Sequence, residues 1–153
     1  ASPGSGPLGW VDDVGVHLPV NAADRFCFFA DLSLPEHWPQ VAIVHGCVEP
    51  PGFQITALLQ AGVDGLVFTG TGAGQLSRSE RQALEEWQGP LPLMLRSNRC
   101  GRGPVHDRED DAELGLLAAA DLNPPKARVL LLLALIAGLD RDDLAGLLSA
   151  SHR

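Results

Sequence analysis

Basic residues are scarce in this 153-residue chain: 11 Lys and Arg stand against 19 Asp and Glu, a formal net charge of −8. Nucleic acids and anionic membrane surfaces recruit basic patches, so this balance argues against both as partners. Cysteine is rarer still. Cys27, Cys47 and Cys100 are an odd number at wide spacing, and no CxxC pair occurs. That pattern speaks against a metal cage, a redox dithiol or a disulfide scaffold, and fits free thiols in a reducing, cytoplasmic setting. Long apolar runs are missing too. The longest, Val129–Ala137, falls well short of the ~20 residues that a spanning helix needs. His17, His37, His45, His106 and His152 show no metal-ligand spacing. The first residues lack a basic stretch followed by an apolar core, so no signal peptide is expected.

What is present is a globular composition, 45% apolar and 20% charged, sufficient for one domain with a real core. Residues 1–39 read as a leader, short β segments and a linker. Ala1–Pro7 is Pro, Gly and Ser apart from the first Ala, the composition of a flexible leader and of a chain that starts mid-protein. Trp10–Leu18 predicts two short β segments around Asp12-Asp13, and Pro19–Pro39 an irregular stretch.

From residue 40 to residue 153 the pattern is that of one α/β domain. Val41–Val44, Leu66–Phe68 and Leu93–Leu95 are short apolar runs, as in strands buried on both faces. Between the first two, Ile55, Leu58 and Leu59 recur at helical spacing, and Gly62 sits where a left-handed cap belongs. Between the last two, Ser77 with Glu80, or Ser79 with Gln82, predicts a capping box for a helix ending at Gly89-Pro90. Asn123 caps a helix that Pro124 opens and Gly138 stops, apolar on nearly every side and therefore expected to be largely buried. Asp140 with Asp143 starts a last amphipathic helix, a capped surface element. Leu114–Ala120 reads equally as a helical turn or a fourth strand. The expected architecture is a small three-layer domain, a mainly parallel sheet of about four strands flanked by helices, with a hairpin and linker before it.

Three segments have the residue types for chemistry. Thr69-Gly-Thr-Gly-Ala-Gly-Gln75 follows a strand and precedes a helix, and its alternate glycines suit a tight turn or close approach to a ligand. Its G-x-G-x-G spacing departs from the dinucleotide fingerprint, and no acid ends the third strand. Arg96–Pro104 follows that strand as a polar loop whose arginines can pair with carboxylates; Cys100 with His106 is its only nucleophile–base candidate. His106–Asp111 carries four acids, suited to acid–base or Mg²⁺ work or simply to a solvated loop. None of these readings pairs a nucleophile convincingly with a base.

The same residues resemble a known family. Asp121-Leu-Asn-Pro-Pro-Lys-Ala-Arg-Val-Leu-Leu-Leu-Leu-Ala-Leu135 is similar to the last long helix of bacterial-type L-asparaginases, of the asparaginase/glutaminase family. Thr69–Gln75 resembles their Gly-Thr-Gly-x-Gly-Asn turn, Arg96–Val105 their Arg-Ser-Ser-Arg loop, and Pro7-Leu-Gly-Trp10 the segment before their interdomain linker. The resemblance runs over roughly Pro7–Ser149 and concerns the C-terminal half alone. It implies an amidohydrolase that turns L-asparagine into L-aspartate and ammonia through an acyl-enzyme, without metal or organic cofactor. The threonine nucleophile, a second threonine beside an aspartate, and a lysine belong to an N-terminal domain with no counterpart here. No catalytic residue is therefore assigned to this chain, which is expected to be inactive alone. The C-terminal half is implied to complete a neighbouring subunit's site, within dimers that pair into tetramers. Two substrate contacts are implied from this half. The family's Asn falls on Gln75, one methylene longer, and a glutamate falls near Glu109, although an alignment on Asp110-Asp111-Ala112 puts Arg108 there. The alternatives are a non-catalytic dimerisation module and a relative acting on glutamine or an amidated tRNA.

Overall fold

In the computed structural model the described residues are 10–11, 13–17, 29, 31–48, 51–100 and 104–150. The leader, Asp12, most of the stretch after Leu18, Cys27, Gly101–Gly103 and His152 lie outside them. β1 (Trp10–Val11) and β2 (Val16–His17) pair antiparallel, Trp10 opposite His17, which is the hairpin expected around Asp12-Asp13.

β3 (Val41–His45), β4 (Gly65–Gly70), β5 (Leu93–Asn98) and β6 (Leu116–Ala118) form a parallel sheet in sequential order. The helices are α1 (Phe53–Gln60), α2 (Arg78–Glu85), α3 (Glu109–Ala112), α4 (Pro124–Ile136) and α5 (Arg141–Ala150). Side chains alternate across the pleat. Val41, Val67, Leu95 and Leu117 face one way and pack with Leu131 of α4 and Leu144 and Leu148 of α5. Val44, Leu66, Phe68, Met94 and Leu116 face the other, against Ile55 and Leu59 of α1 and Leu84 of α2. The result is a three-layer α/β domain. The open segment Leu114–Ala120 resolves as β6, with Met94 opposite Leu116 and Arg96 opposite Ala118.

Local chemistry sets the ends of the elements. After α1, Gly62 takes φ +72°; its N–H donates to Leu59 O and that of Val63 to Leu58 O, which closes a Schellman cap. Gly138 repeats the motif after α4, donating to Leu135 O while Leu139 donates to Ala134 O. Ser77 and Glu80 form the capping box of α2: Ser77 Oγ accepts from Glu80 N at 3.2 Å, and Glu80 Oε2 accepts from Ser77 N at 2.7 Å. Asn123 caps α4 through Lys126 N, and Asp140 caps α5 through the N–H groups of Asp142 and Asp143.

Three expectations need correction. α2 stops at Glu85 rather than at Gly89-Pro90, because the chain turns where the Trp87 indole N–H donates to Pro90 O. β5 continues to Asn98, so Arg96, Ser97 and Asn98 are strand residues rather than loop. α4 buries one stripe, Ala127, Leu131 and Ala134, and leaves Val129 51% exposed. The close fit on that stripe depends on Gly65, where an added Cβ would stand 2.8 Å from Leu131 Cδ2.

Two stability predictions follow from this packing. Leu131→Ala is expected to cost about 2–5 kcal/mol and Val129→Ala less than about 0.5 kcal/mol, both read by denaturant titration. Ala120 takes φ +55°, a left-handed conformation held by Val105 N donating to its carbonyl at 2.8 Å. An L-residue there costs about 1–2 kcal/mol, and glycine's extra freedom when unfolded returns about 0.4–1 kcal/mol of that. The net gain of about 0–1.6 kcal/mol is offset by about 0.8 kcal/mol for losing the buried Ala120 methyl, so Ala120→Gly should change stability by less than about 1 kcal/mol in the same titration.

Candidate functional site

Parallel pairing brings the ends of β3, β4 and β5 to one edge of the sheet, where ligands of open α/β folds gather. The Gly turn caps β4 there. Gly74 N and Gln75 N both donate to Thr71 O, at 3.0 and 3.2 Å, so the turn closes on itself. Two glycines are required for that. A Cβ at Gly70 would lie 2.2 Å from the Gly74 carbonyl carbon, and one at Gly74, which has φ +77°, would lie 2.9 Å from Ser97 O. Within the turn Gly74 is buried while Thr71, Gly72, Ala73 and Gln75 are exposed. Gln75 lines a cavity of about 110 Å³ with Gly46, Cys47, Thr71, Leu76, Ser77 and Glu80. Glu80, 2% exposed, belongs to that cavity through its capping box, its negative charge matched to the start of α2.

The polar end of β5 stitches the neighbouring loops together. Arg99 N donates to Gly70 O at 3.1 Å, and its Nη1 donates to Gly46 O at 2.9 Å. Ser97 Oγ donates to Leu122 O at 2.7 Å. Arg96 is buried to 1% exposure. Its Nη1 donates to Ala73 O at 2.7 Å and its Nη2 to His106 O at 2.5 Å. Nη2 also stands 2.7 Å from Asp111 Oδ2, an ion pair without the alignment of a hydrogen bond. The expected pairing of this segment's arginines with carboxylates is thus present for Arg96, inside the protein, while the Arg99 side chain takes the Gly46 carbonyl and Arg102 lies outside the described residues. The other Asp111 oxygen, Oδ1, is 3.3 Å from Arg81 Nη2 of α2. Asp111 is 2% exposed, so the acidic run is not uniformly solvated.

Glu109 is exposed and stands first in α3, beside the exposed Arg108. Arg108 Nε donates to Asp110 Oδ1 at 3.0 Å. That bond, with the charge of Arg108 behind it, holds the Asp110 carboxyl below the usual carboxylate range and raises the Arg108 pKa in turn. Arg96 links the turn that carries Gln75 to the helix that carries Glu109, through Ala73 O and Asp111, but Glu109 does not line the Gln75 cavity. Cys100 is an exposed free thiol, and His106 offers its backbone carbonyl to Arg96. A hydroxyl–imidazole contact that no spacing announces lies at Thr69 Oγ1, 3.3 Å from His45 Nδ1; Thr69 is fully buried, so no substrate reaches it. Among the described residues no group of three or more His, Cys, Asp or Glu side chains could hold a metal ion. The edge can offer a ligand an amide and a carboxylate. The exposed Cys47 thiol and Thr71 hydroxyl line the same cavity as Glu80, whose Oε2 accepts from Ser77 N at 2.7 Å in the capping box.

The turn's geometry yields a prediction. Gly74→Val meets both the left-handed φ and the Ser97 carbonyl, and is expected to destabilise by on the order of 1–3 kcal/mol, measured by thermal or denaturant unfolding.

Comparison with known proteins places this edge in a family context. Residues 40–148 match the Glutaminase/Asparaginase C-terminal domain. The chain is 35% identical over 134 residues to L-asparaginase 2 of Escherichia coli (strain K12), covering 85% of this chain and 38% of that protein. It is 32% identical over 138 residues to a probable periplasmic L-asparaginase of Haemophilus influenzae, covering 88% and 40% respectively. The crystal structure of a probable cytoplasmic L-asparaginase from Campylobacter jejuni superposes with TM-score 0.74 at 30% identity, over 93% of this chain and 47% of that one. The chain therefore spans less than half the length of these relatives. On this fold and these matches, the chain belongs to the glutaminase/asparaginase family as its C-terminal domain.

Proposed function

We propose that residues 40–153 form the C-terminal domain of an L-asparaginase-like amidohydrolase, preceded by a leader, hairpin and linker over 1–39, and that the domain completes a neighbouring subunit's active site. The observation that carries this reading is the exposed Gln75 amide on a self-closed glycine turn at the carboxyl edge of the sheet. In this reading a threonine from an N-terminal domain attacks the side-chain amide carbon of L-asparagine and ammonia leaves. Water then releases L-aspartate from the ester. Gln75 orients the substrate by hydrogen bonding. Glu109, exposed at the start of α3, faces the substrate ammonium, where a charge-assisted hydrogen bond is strongest. Because the nucleophile in this reading comes from the N-terminal domain, the chain alone is expected to be inactive. No cofactor takes part, and the working assembly is a homodimer or a pair of dimers. The compartment in this reading is cytoplasmic, in keeping with the free thiols at Cys47 and Cys100. Among the described residues no helix is long and apolar enough to cross a membrane. The extra methylene of Gln75 keeps L-glutamine in view as a second substrate.

The test is a chimera in which residues 40–148 replace the matched segment of the Escherichia coli relative. It should hydrolyse L-asparagine, whereas the isolated chain should not, and parallel assays with L-glutamine give the preference. Gln75→Ala in the chimera is expected to lower kcat/KM by about 10–100-fold, equivalent to about 1.4–2.7 kcal/mol. A folded, oligomeric chimera without activity, or full activity after Gln75→Ala, would count against the reading.

A further inference from the structure

We propose that Arg96 and Asp111 are a positioning pair that sets the Gln75 turn in register with α3 and Glu109, an inference that rests on the site proposed above. Two observations point to it. First, neither segment has much packing of its own. The turn exposes Thr71, Gly72, Ala73 and Gln75 and spends its amides internally on Thr71 O. α3 is four residues long, far too short to persist as an isolated helix. Second, one buried guanidinium anchors both. Arg96 Nη1 holds Ala73 O, two residues before Gln75; Nη2 meets His106 O and Asp111 Oδ2, two residues after Glu109.

The chemistry suits the task. Arg96 Nε has no hydrogen-bond partner, and Asp111 Oδ2 faces Nη2 without hydrogen-bond alignment, so charge attraction holds this contact. Arg81 braces the second Asp111 oxygen at 3.3 Å and also donates to Asp110 O at 2.9 Å, which ties α2 into the same knot. A lysine at position 96 would carry the charge but lack the planar fork that divides between two loops. Losing the Asp111 charge leaves the buried Arg96 guanidinium on two neutral carbonyls without the carboxylate that balances it, which weakens the anchor common to both segments.

Amide hydrogen exchange on the full 153-residue chain, followed by NMR, separates this role from general stabilisation. In Asp111→Asn, the Gly74 and Gln75 amides should exchange at least about tenfold faster, together with those of Asp111 and Leu114. The Gly62 and Val63 amides, in the α1 cap at the opposite edge, should keep their rates. Arg96→Lys should give the same pattern; where that variant does not fold, Asp111→Asn decides. Arg108→Ala, which removes only the surface pair with Asp110, should leave Gly74 and Gln75 unchanged. Acceleration confined to residues 111–114 would overturn the proposal. So would equal acceleration everywhere including Gly62 and Val63, or an Arg108→Ala effect on the turn as large as that of Asp111→Asn. Exchange needs neither substrate nor a second domain, so failure here is distinct from failure of the chimera to hydrolyse asparagine.

Discussion

A guanidinium buried inside a parallel sheet is the constraint on which the functional edge of this domain depends. Burying a charge costs several kcal/mol unless it is paired and hydrogen-bonded. Arg96 meets that cost with two backbone carbonyls and one carboxylate drawn from loops on both sides of β5. Because β5 lies between β4 and β6, a long side chain at its carboxyl end is well placed to reach the loops of both neighbours. Apolar residues of similar volume often give equal or better stability than a buried ion pair. What they do not give is direction: a hydrophobic contact tolerates sliding, whereas a planar fork between Ala73 O and His106 O sets a distance and an angle.

The two edges of the sheet have contrasting chemistry. At the amino edge Leu131 packs so close to Gly65 that a methyl group there would collide with it, with two polar ties beside it, Gln40 N donating to Asp64 Oδ2 and Arg128 Nε to Val41 O. At the carboxyl edge fit is set by hydrogen bonds. Arg99 joins the loop after β3 to the end of β4, Ser97 reaches Leu122, and Gly70 and Gly74 let backbone meet backbone without a Cβ between them. Hydrophobic packing is non-directional, so it can form a core but cannot aim an amide. The polar network supplies the aim.

Much of the fold was legible in the sequence because its signals are local. The three apolar runs, the capping box at Ser77 and Glu80, the Asn123 cap and the glycines at positions 62 and 138 each act within a few residues, and each stands where expected. What was not legible depends on contacts distant in sequence. Arg96, Ser97 and Asn98 resemble loop residues until their partners, 10–25 positions away for the first two, come into view. Leu116–Ala118 is a strand because β5 offers it a ladder; its own Leu and Ala residues favour helix at least as well. Asp111 looked like one acid among four, and only Arg96 and Arg81 set it apart. Gln75 and Glu109 were singled out by family resemblance, since nothing in an exposed glutamine or glutamate marks it physically as a contact.

The rigidity of the turn gives the Gln75 departure its meaning. Were the turn free to shift, it could retreat by the length of one methylene and leave the amide where the family's asparagine puts it. Neither Gly74, against the Ser97 carbonyl, nor Gly70, against Gly74, has room for a Cβ, while Arg96 Nη1 holds Ala73 O from inside. A turn tied in this way resists a shift of the ~1 Å that matters in a preorganised site, and side-chain rotamers are then the cheaper way to absorb the difference. In the proposed site the glutamine amide therefore reaches the substrate through a longer and more mobile arm, at a greater entropic cost on binding than asparagine would incur. The position thus trades some preorganisation for reach, and the firmness of the knot below it is what turns one methylene into a functional difference.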